Sequence, residues 1–153
     1  GMLCGKRIEE VEKNVFVEAS RLNSTFGGNI VDMVRVTKIL EVIHRDKLLH
    51  NAAHVGLYLL EQLRELEKDF EEVTNARGLG LMCAIDLPTP EARDRVRQSC
   101  YDKGMIILSC GTRSIRFRPA LTVTTKEIGV AIDILRTSVR ARIRDARPHD
   151  NCP

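Results

Sequence analysis

Apolar positions change their period several times along the chain, and each change predicts an element. Val15 and Val17 alternate with polar neighbours, which predicts a short strand near the start. Ile30, Val34, Ile39, Leu40 and Ile43 then recur at helical spacing, predicting a helix that runs to about Leu48. A second helix is predicted from Leu49, with Leu49, Ala52, Ala53, Gly56, Leu60, Leu63 and Phe70 as its inward stripe. Glu61, Arg64, Glu65 and Lys68 give that helix a charged outer face. Arg77-Gly78-Leu79-Gly80 reads as a turn, and residues 81–87 form a dense apolar run broken only by Asp86, the pattern of a buried strand.

The remaining pattern is more regular. Thr89 suits an N-cap with Pro90 at the first helical position. Ala92, Val96 and Cys100 continue that helix at four-residue spacing, and Gly104 stands where a C-terminal cap belongs. Residues 105–108 predict another apolar strand, and Gly111-Thr112 a turn. Ile115 and Phe117, alternating with Arg116 and Arg118, predict a half-buried strand. Thr124 and Glu127 have capping-box spacing ahead of a last helix whose core face is Ile128, Ala131, Ile132, Leu135 and Val139. The order α, α, β, α, β, β, α predicts a small α+β layer, a sheet covered on one side by helices. The expected division is 1–48, then a domain over 49–147, then a tail over 148–153.

Composition narrows the class. With 43% hydrophobic and 29% charged residues, the chain has the balance of a globular protein, and no apolar run is long enough for a membrane helix. The start, Gly1-Met2-Leu3-Cys4, has no long apolar core of a secretory leader, and a Gly ahead of Met has the look of a tag-removal scar. The five cysteines are odd in number and form no CxxC pair, so neither a disulfide framework nor a zinc site is expected, and the expected compartment is the cytoplasm. Net charge is +3, although Arg136, Arg140, Arg142, Arg144 and Arg147 crowd the C-terminal end. Those arginines suit a helix C-terminus, and with no Trp and no interleaved aromatics they do not make a nucleic-acid surface. His50 and His54 lie one helical turn apart without a third ligand, so no metal site is expected.

Two strings carry candidate chemistry. Ser24-Thr25-Phe26-Gly27-Gly28-Asn29 places two hydroxyls before paired glycines and a helix. Hydroxyls and backbone N–H groups in that setting suit a phosphate. The same string also reads as a plain loop with Asn29 as N-cap. In Ile115-Arg116-Phe117-Arg118-Pro119-Ala120-Leu121, Arg116 is an outward strand residue, read either as a solvated charge or as a carboxylate ligand. A guanidinium suits the second role because its planar fork meets two carboxylate oxygens together.

Both strings resemble class III pyridoxal-phosphate-dependent aminotransferases, the ornithine, 4-aminobutyrate and lysine group. Arg21-Leu22-Asn23-Ser24-Thr25, Gly27-Gly28-Asn29, Asp32-Met33-Val34-Arg35 and Arg77-Gly78-Leu79-Gly80-Leu81-Met82-Cys83-Ala84 are most similar to the lysine 6-aminotransferase branch. The resemblance implies the small C-terminal domain of a fold-type I enzyme, preceded by the end of its large cofactor domain. It implies that Thr25, with Ser24 beside it, contacts the phosphate of pyridoxal phosphate across a dimer interface. Arg116 matches the arginine that binds the substrate carboxylate, with Arg118 a structural neighbour. Where the family has a second proline, this chain has Ala120.

The resemblance places the cofactor-bearing lysine about thirty positions before Thr25, and Lys6 and Lys13 do not match it. No catalytic residue is therefore assigned. The expected role is amino-group transfer from an amine or amino acid such as L-lysine to 2-oxoglutarate. The chain would be inactive alone and would work as a homodimer or with a partner aminotransferase subunit. The other expectation is a dimerisation or binding module derived from such an enzyme.

Overall fold

The computed structural model describes residues 5–21 and 24–146, giving only the backbone for 142–146. Cys4, Leu22, Asn23, Arg147, His149, Cys152 and the expected 148–153 tail lie outside the described residues, as do the side chains of Arg142 and Arg144. The chain divides into two compact units, Gly1–Val42 and Ile43–Pro153.

In the first unit, the strand expected around Val15 and Val17 is replaced by turns that follow a 3-10 helix over Lys6–Glu10. Asn14 is the physical reason. Its side-chain oxygen accepts from the N–H groups of Phe16 (2.9 Å) and Val17 (3.2 Å), so local bonding replaces strand pairing. A turn over residues 25–28 then leads into helix α1, Ile30–Arg45.

The second unit contains α2 (Leu48–Asp69), β1 (Thr74–Leu79), β2 (Met82–Asp86), α3 (Pro90–Asp102), β3 (Leu108–Cys110), β4 (Ser114–Phe117) and α4 (Thr125–Ala146). The four strands form one antiparallel sheet in the order β1-β2-β4-β3. The α+β expectation holds, with one strand more than the sequence pattern suggested. Arg77, Gly78 and Leu79 belong to β1, and the turn is only Gly80-Leu81, so Leu79 pairs with Met82. Gly80 takes φ +55, a conformation that suits glycine at the first position of a two-residue hairpin loop. The strand expected over 105–108 starts later, at Leu108.

Alternation sorts the sheet into two faces. Cys83, Ile85, Ile115 and Phe117 are buried in a common core with Val55, Leu59 and Leu63 of α2, Val96 and Cys100 of α3, and Ile132 and Leu135 of α4. The inward stripe of α2 is therefore Leu48, Val55, Leu59, Leu63 and Leu66, while the expected Leu49 is 72% exposed. Gly56 and Leu63 of the expected stripe are buried and Ala52, Leu60 and Phe70 pack against the core, while Leu49 and Ala53 are exposed, so the stripe is the expected one shifted at its N-terminal end. Closely spaced leucines on α2 make several phases almost equally apolar.

Caps form as the sequence indicates. Thr89 Oγ1 accepts from Ala92 N–H at 3.2 Å, with Pro90 at the start of α3. Thr124 and Glu127 bond reciprocally: Thr124 N–H donates to the Glu127 carboxylate (2.8 Å), and Glu127 N–H donates to Thr124 Oγ1 (3.3 Å). These bonds from the Thr124 backbone and hydroxyl hold the Glu127 carboxyl below its usual range. No described helix is long and apolar enough to cross a membrane.

Candidate functional site

The two candidate strings lie in different units. In the first unit, Gly27 N–H donates to the Ser24 carbonyl (3.2 Å) and Asn29 N–H to the Phe26 carbonyl (3.2 Å), closing a tight turn. Gly28 sits at φ +77 within it. Ser24 and Thr25 are both exposed on this turn. Asn29 caps α1, its side-chain oxygen accepting from Val31 N–H at 2.9 Å. The loop reading and the phosphate reading are thus compatible: Asn29 supplies the cap, while the Ser24 and Thr25 hydroxyls face solvent. Two exposed hydroxyl donors at a helix start fit the phosphate of pyridoxal phosphate in chemistry.

Arg116 lies in the second unit, on β4, opposite Ala84 of β2 and Leu108 of β3. Its side chain is half-buried, and its Nε is buried without a hydrogen-bond partner among the described residues. It takes part in none of the ion pairs found among them. A desolvated guanidinium atom with no acceptor is costly, and an incoming carboxylate would relieve that cost. Arg116, Arg118, Pro119, Leu108, Val123 and Glu127 are among the residues that line an open cleft of about 370 Å³. The segment that carries Val123 of this lining is held by Asn51 of α2, which donates to the carbonyls of Leu121 (2.7 Å) and Val123 (3.0 Å).

The sheet face away from the helices also holds a polar cluster that sequence reasoning missed. Asp86 is only 6% exposed. One carboxylate oxygen accepts from Ser114 Oγ (2.6 Å) and from a guanidinium nitrogen of Arg77 (2.9 Å); the other accepts from the Asn75 amide (2.9 Å). An Arg113 nitrogen stands 4.0 Å from that second oxygen. Burial alone would push the Asp86 carboxyl up. The bonds from Ser114, Asn75 and Arg77, with the Arg77 charge, outweigh it and bring the carboxyl down to about 2. Arg77 is thus paired within its own chain. The signal available in the sequence was Asp86 itself, the charge inside an apolar strand.

The histidines His50 and His54 are exposed on α2, and no cluster of three or more metal-ligating side chains occurs among the described residues. Cys83 and Cys100 are buried free thiols, and burial pushes both above the usual thiol range.

Comparison with known proteins places this geometry in a family. The class III aminotransferase family model matches residues 1–139. The L-lysine-epsilon aminotransferase of Amycolatopsis lactamdurans is 49% identical over 144 residues, covering 93% of this chain and 32% of that protein. The solved lysine aminotransferase of M. tuberculosis is 45% identical with a TM-score of 0.82, covering 92% of this chain and 32% of that one. An aminotransferase from Bacillus anthracis matches at 28% identity and a TM-score of 0.77, with 88% and 33% covered. The chain spans about a third of the length of the curated relatives it matches. Across nearly its whole described length, then, this chain belongs to the class III aminotransferases.

Proposed function

We propose that this chain is the C-terminal part of a pyridoxal-phosphate-dependent aminotransferase, and that Arg116 holds the substrate carboxylate. The supporting observation is the half-buried Arg116 guanidinium, whose Nε has no partner among the described residues. Its fork would orient an amino acid or 2-oxo acid by two parallel N–H···O bonds. Thr25, with Ser24, would donate hydroxyl bonds to the cofactor phosphate of a second subunit. Pyridoxal phosphate, when bound, supplies the electron sink for losing a proton from the amine-bearing carbon. The lysine that carries it in this family has no match here in Lys6 or Lys13, so the chain orients and clamps without performing the transfer alone. The named relatives favour L-lysine as amino donor, and the family resemblance adds 2-oxoglutarate as acceptor.

The test is to add pyridoxal phosphate, reduce with borohydride and map adducts by mass spectrometry, with L-lysine and 2-oxoglutarate turnover measured in parallel. The reading expects no stoichiometric adduct at a single lysine and no turnover. One fully modified lysine accompanied by turnover would overturn it.

A second reading, a dimerisation module derived from such an enzyme, is favoured by α1. Ile30, Val31, Met33, Val34, Val36 and Leu40 on that helix are all exposed, a larger apolar display than a monomer ordinarily tolerates. Light scattering decides it: a second copy seated on α1 predicts a dimer, and a clean monomer at high concentration removes this reading.

A further inference from the structure

The register of the sheet puts two arginines in equivalent relation to one carboxylate. Arg77 of β1 is paired with Ala84 of β2, and Ala84 in turn with Arg116 of β4. Asp86 lies two residues along β2 from Ala84, on the same face, so it is the diagonal neighbour of both arginines. Diagonal neighbours in an antiparallel pair are about 7–8 Å apart, within reach of a long side chain. Only Arg77 uses that reach. It donates to Asp86 at 2.9 Å, to the Asn75 carbonyl at 2.9 Å and to Ser114 Oγ at 3.3 Å. Ser114, directly opposite Asp86 and two residues from Arg116, donates to the same Asp86 oxygen. Asn75, held at φ +57 beside the irregularity in β1, occupies the other oxygen. Three donors hold the carboxylate, two on one oxygen and one on the other, and Arg116 Nε has no partner among the described residues.

We propose that Arg77 is a positioning residue for Arg116. With Ser114 and Asn75 it satisfies Asp86, and so prevents Asp86 from capturing Arg116, which stays open to an external carboxylate. This rests on the reading of Arg116 as the carboxylate ligand. The physical content is a competition: a buried carboxylate that loses one charged donor recruits the next within reach, because leaving it short of donors is expensive. Arg113, 4.0 Å from Oδ2, and Arg116, the diagonal neighbour on β4, are the available replacements, and the opening left by Arg77 is at Oδ1, the oxygen that Ser114 of Arg116's own strand also bonds.

The experiment compares the parent chain with Arg77→Met, Arg77→Met/Asp86→Asn, Arg77→Met/Arg116→Met and Arg116→Met. The probe is glutarate, a dicarboxylate without reactive groups. Binding is followed by NMR, and the Asp86 carboxyl is titrated in the same samples. Arg77→Met is expected to weaken glutarate by about tenfold, and adding Asp86→Asn to restore it to within about threefold of the parent. A merely structural role for Arg77 makes the double variant no better than the single one, and that result overturns the proposal. Asp86 titration gives a second, ligand-free readout. Capture predicts that Asp86 stays low in Arg77→Met and rises only when Arg116 is also removed. An Asp86 that rises fully in Arg77→Met, or that ignores Arg116→Met in that background, refutes capture. A parent chain that binds glutarate no better than Arg116→Met refutes the carboxylate role of Arg116 instead, while the Asp86 titration still decides the competition. If Arg77→Met does not fold, Arg77→Gln replaces it. A neutral amide gives Asp86 no charged donor, so weaker glutarate binding, recovered by Asp86→Asn, is again expected. Parent-like binding in Arg77→Gln counts against the proposal.

Discussion

Replacing Gly56 by alanine tests how tightly α2 is pressed onto the hairpin that carries the Asp86 strand. An ideal Cβ on Gly56 would lie 2.2 Å from the carbonyl carbon of Gly80, 2.3 Å from its oxygen and 2.6 Å from its Cα. These are backbone atoms and cannot rotate away. Restoring ordinary contact requires α2 and the Gly80-Leu81 turn to separate by about 1 Å, enough to forfeit a large part of each dispersion contact along the seam. That seam is the centre of the core: Val55 and Leu59 on α2, and Leu81, Cys83 and Ile85 on the hairpin, are each at most 6% exposed. Overpacking of this kind costs about 3 kcal/mol at the upper end of the usual range. The better helix propensity of alanine returns about 1 kcal/mol, leaving a net loss of about 2 kcal/mol and a drop in Tm of roughly 10 °C. Gly129→Ala is the matched control on α4, where the nearest atom to the new Cβ is the Tyr58 hydroxyl at 3.9 Å. There the propensity gain stands alone, and stability should rise by about 0.5–1 kcal/mol. Urea unfolding followed by circular dichroism measures both. Equal stability of Gly56→Ala and the parent would refute the close approach, and a destabilised Gly129→Ala would refute the open space on α4.

Three further outcomes are expected. The Asp86 carboxyl has a folded value of about 2, depressed from 3.8. The stability it contributes, about 2 kcal/mol, is fully present above the unfolded value and is lost as pH falls through 3.8 toward 2. Asp86→Asn should flatten the acid limb of a pH-stability curve over that window, and an unchanged limb would contradict the assignment. Asn51→Ala removes both bonds to the 121–123 segment and should cost about 1–2 kcal/mol, with enhanced hydrogen exchange at Val123; an unaltered exchange rate there would argue against the anchor. Thr124→Ala removes the capping box of α4 and should cost about 1 kcal/mol in urea unfolding, while Thr122→Ala, lacking that geometry, should be near neutral.

Elements with local signals were legible in the sequence. Thr89-Pro90 and Thr124 to Glu127 declared their helix starts because capping chemistry is local, and the alternation of Ile115 and Phe117 declared β4. β1 was not legible. Arg77-Gly78-Leu79-Gly80 looks like a turn because glycine suits turns, yet Gly78 is a strand residue whose missing side chain admits Cys83: a Cβ there would meet its sulfur at 2.4 Å. That requirement exists only across the hairpin. The pair of turn-like glycines therefore conceals one turn and one packing contact. The site was half legible for the same reason. Arg116 could be singled out by resemblance, but its lack of a partner depends on which of two arginines Asp86 engages. That choice is made by strand register and by Asn75 and Ser114, residues far apart in the chain.

The most direct measurement is a titration of this chain with 2-oxoglutarate by calorimetry, beside Arg116→Met and Arg118→Met. The account predicts that Arg116→Met weakens binding by about tenfold or more, the loss expected for a charge-assisted pair, while Arg118→Met changes it little. Equal affinities for the parent and Arg116→Met would contradict it.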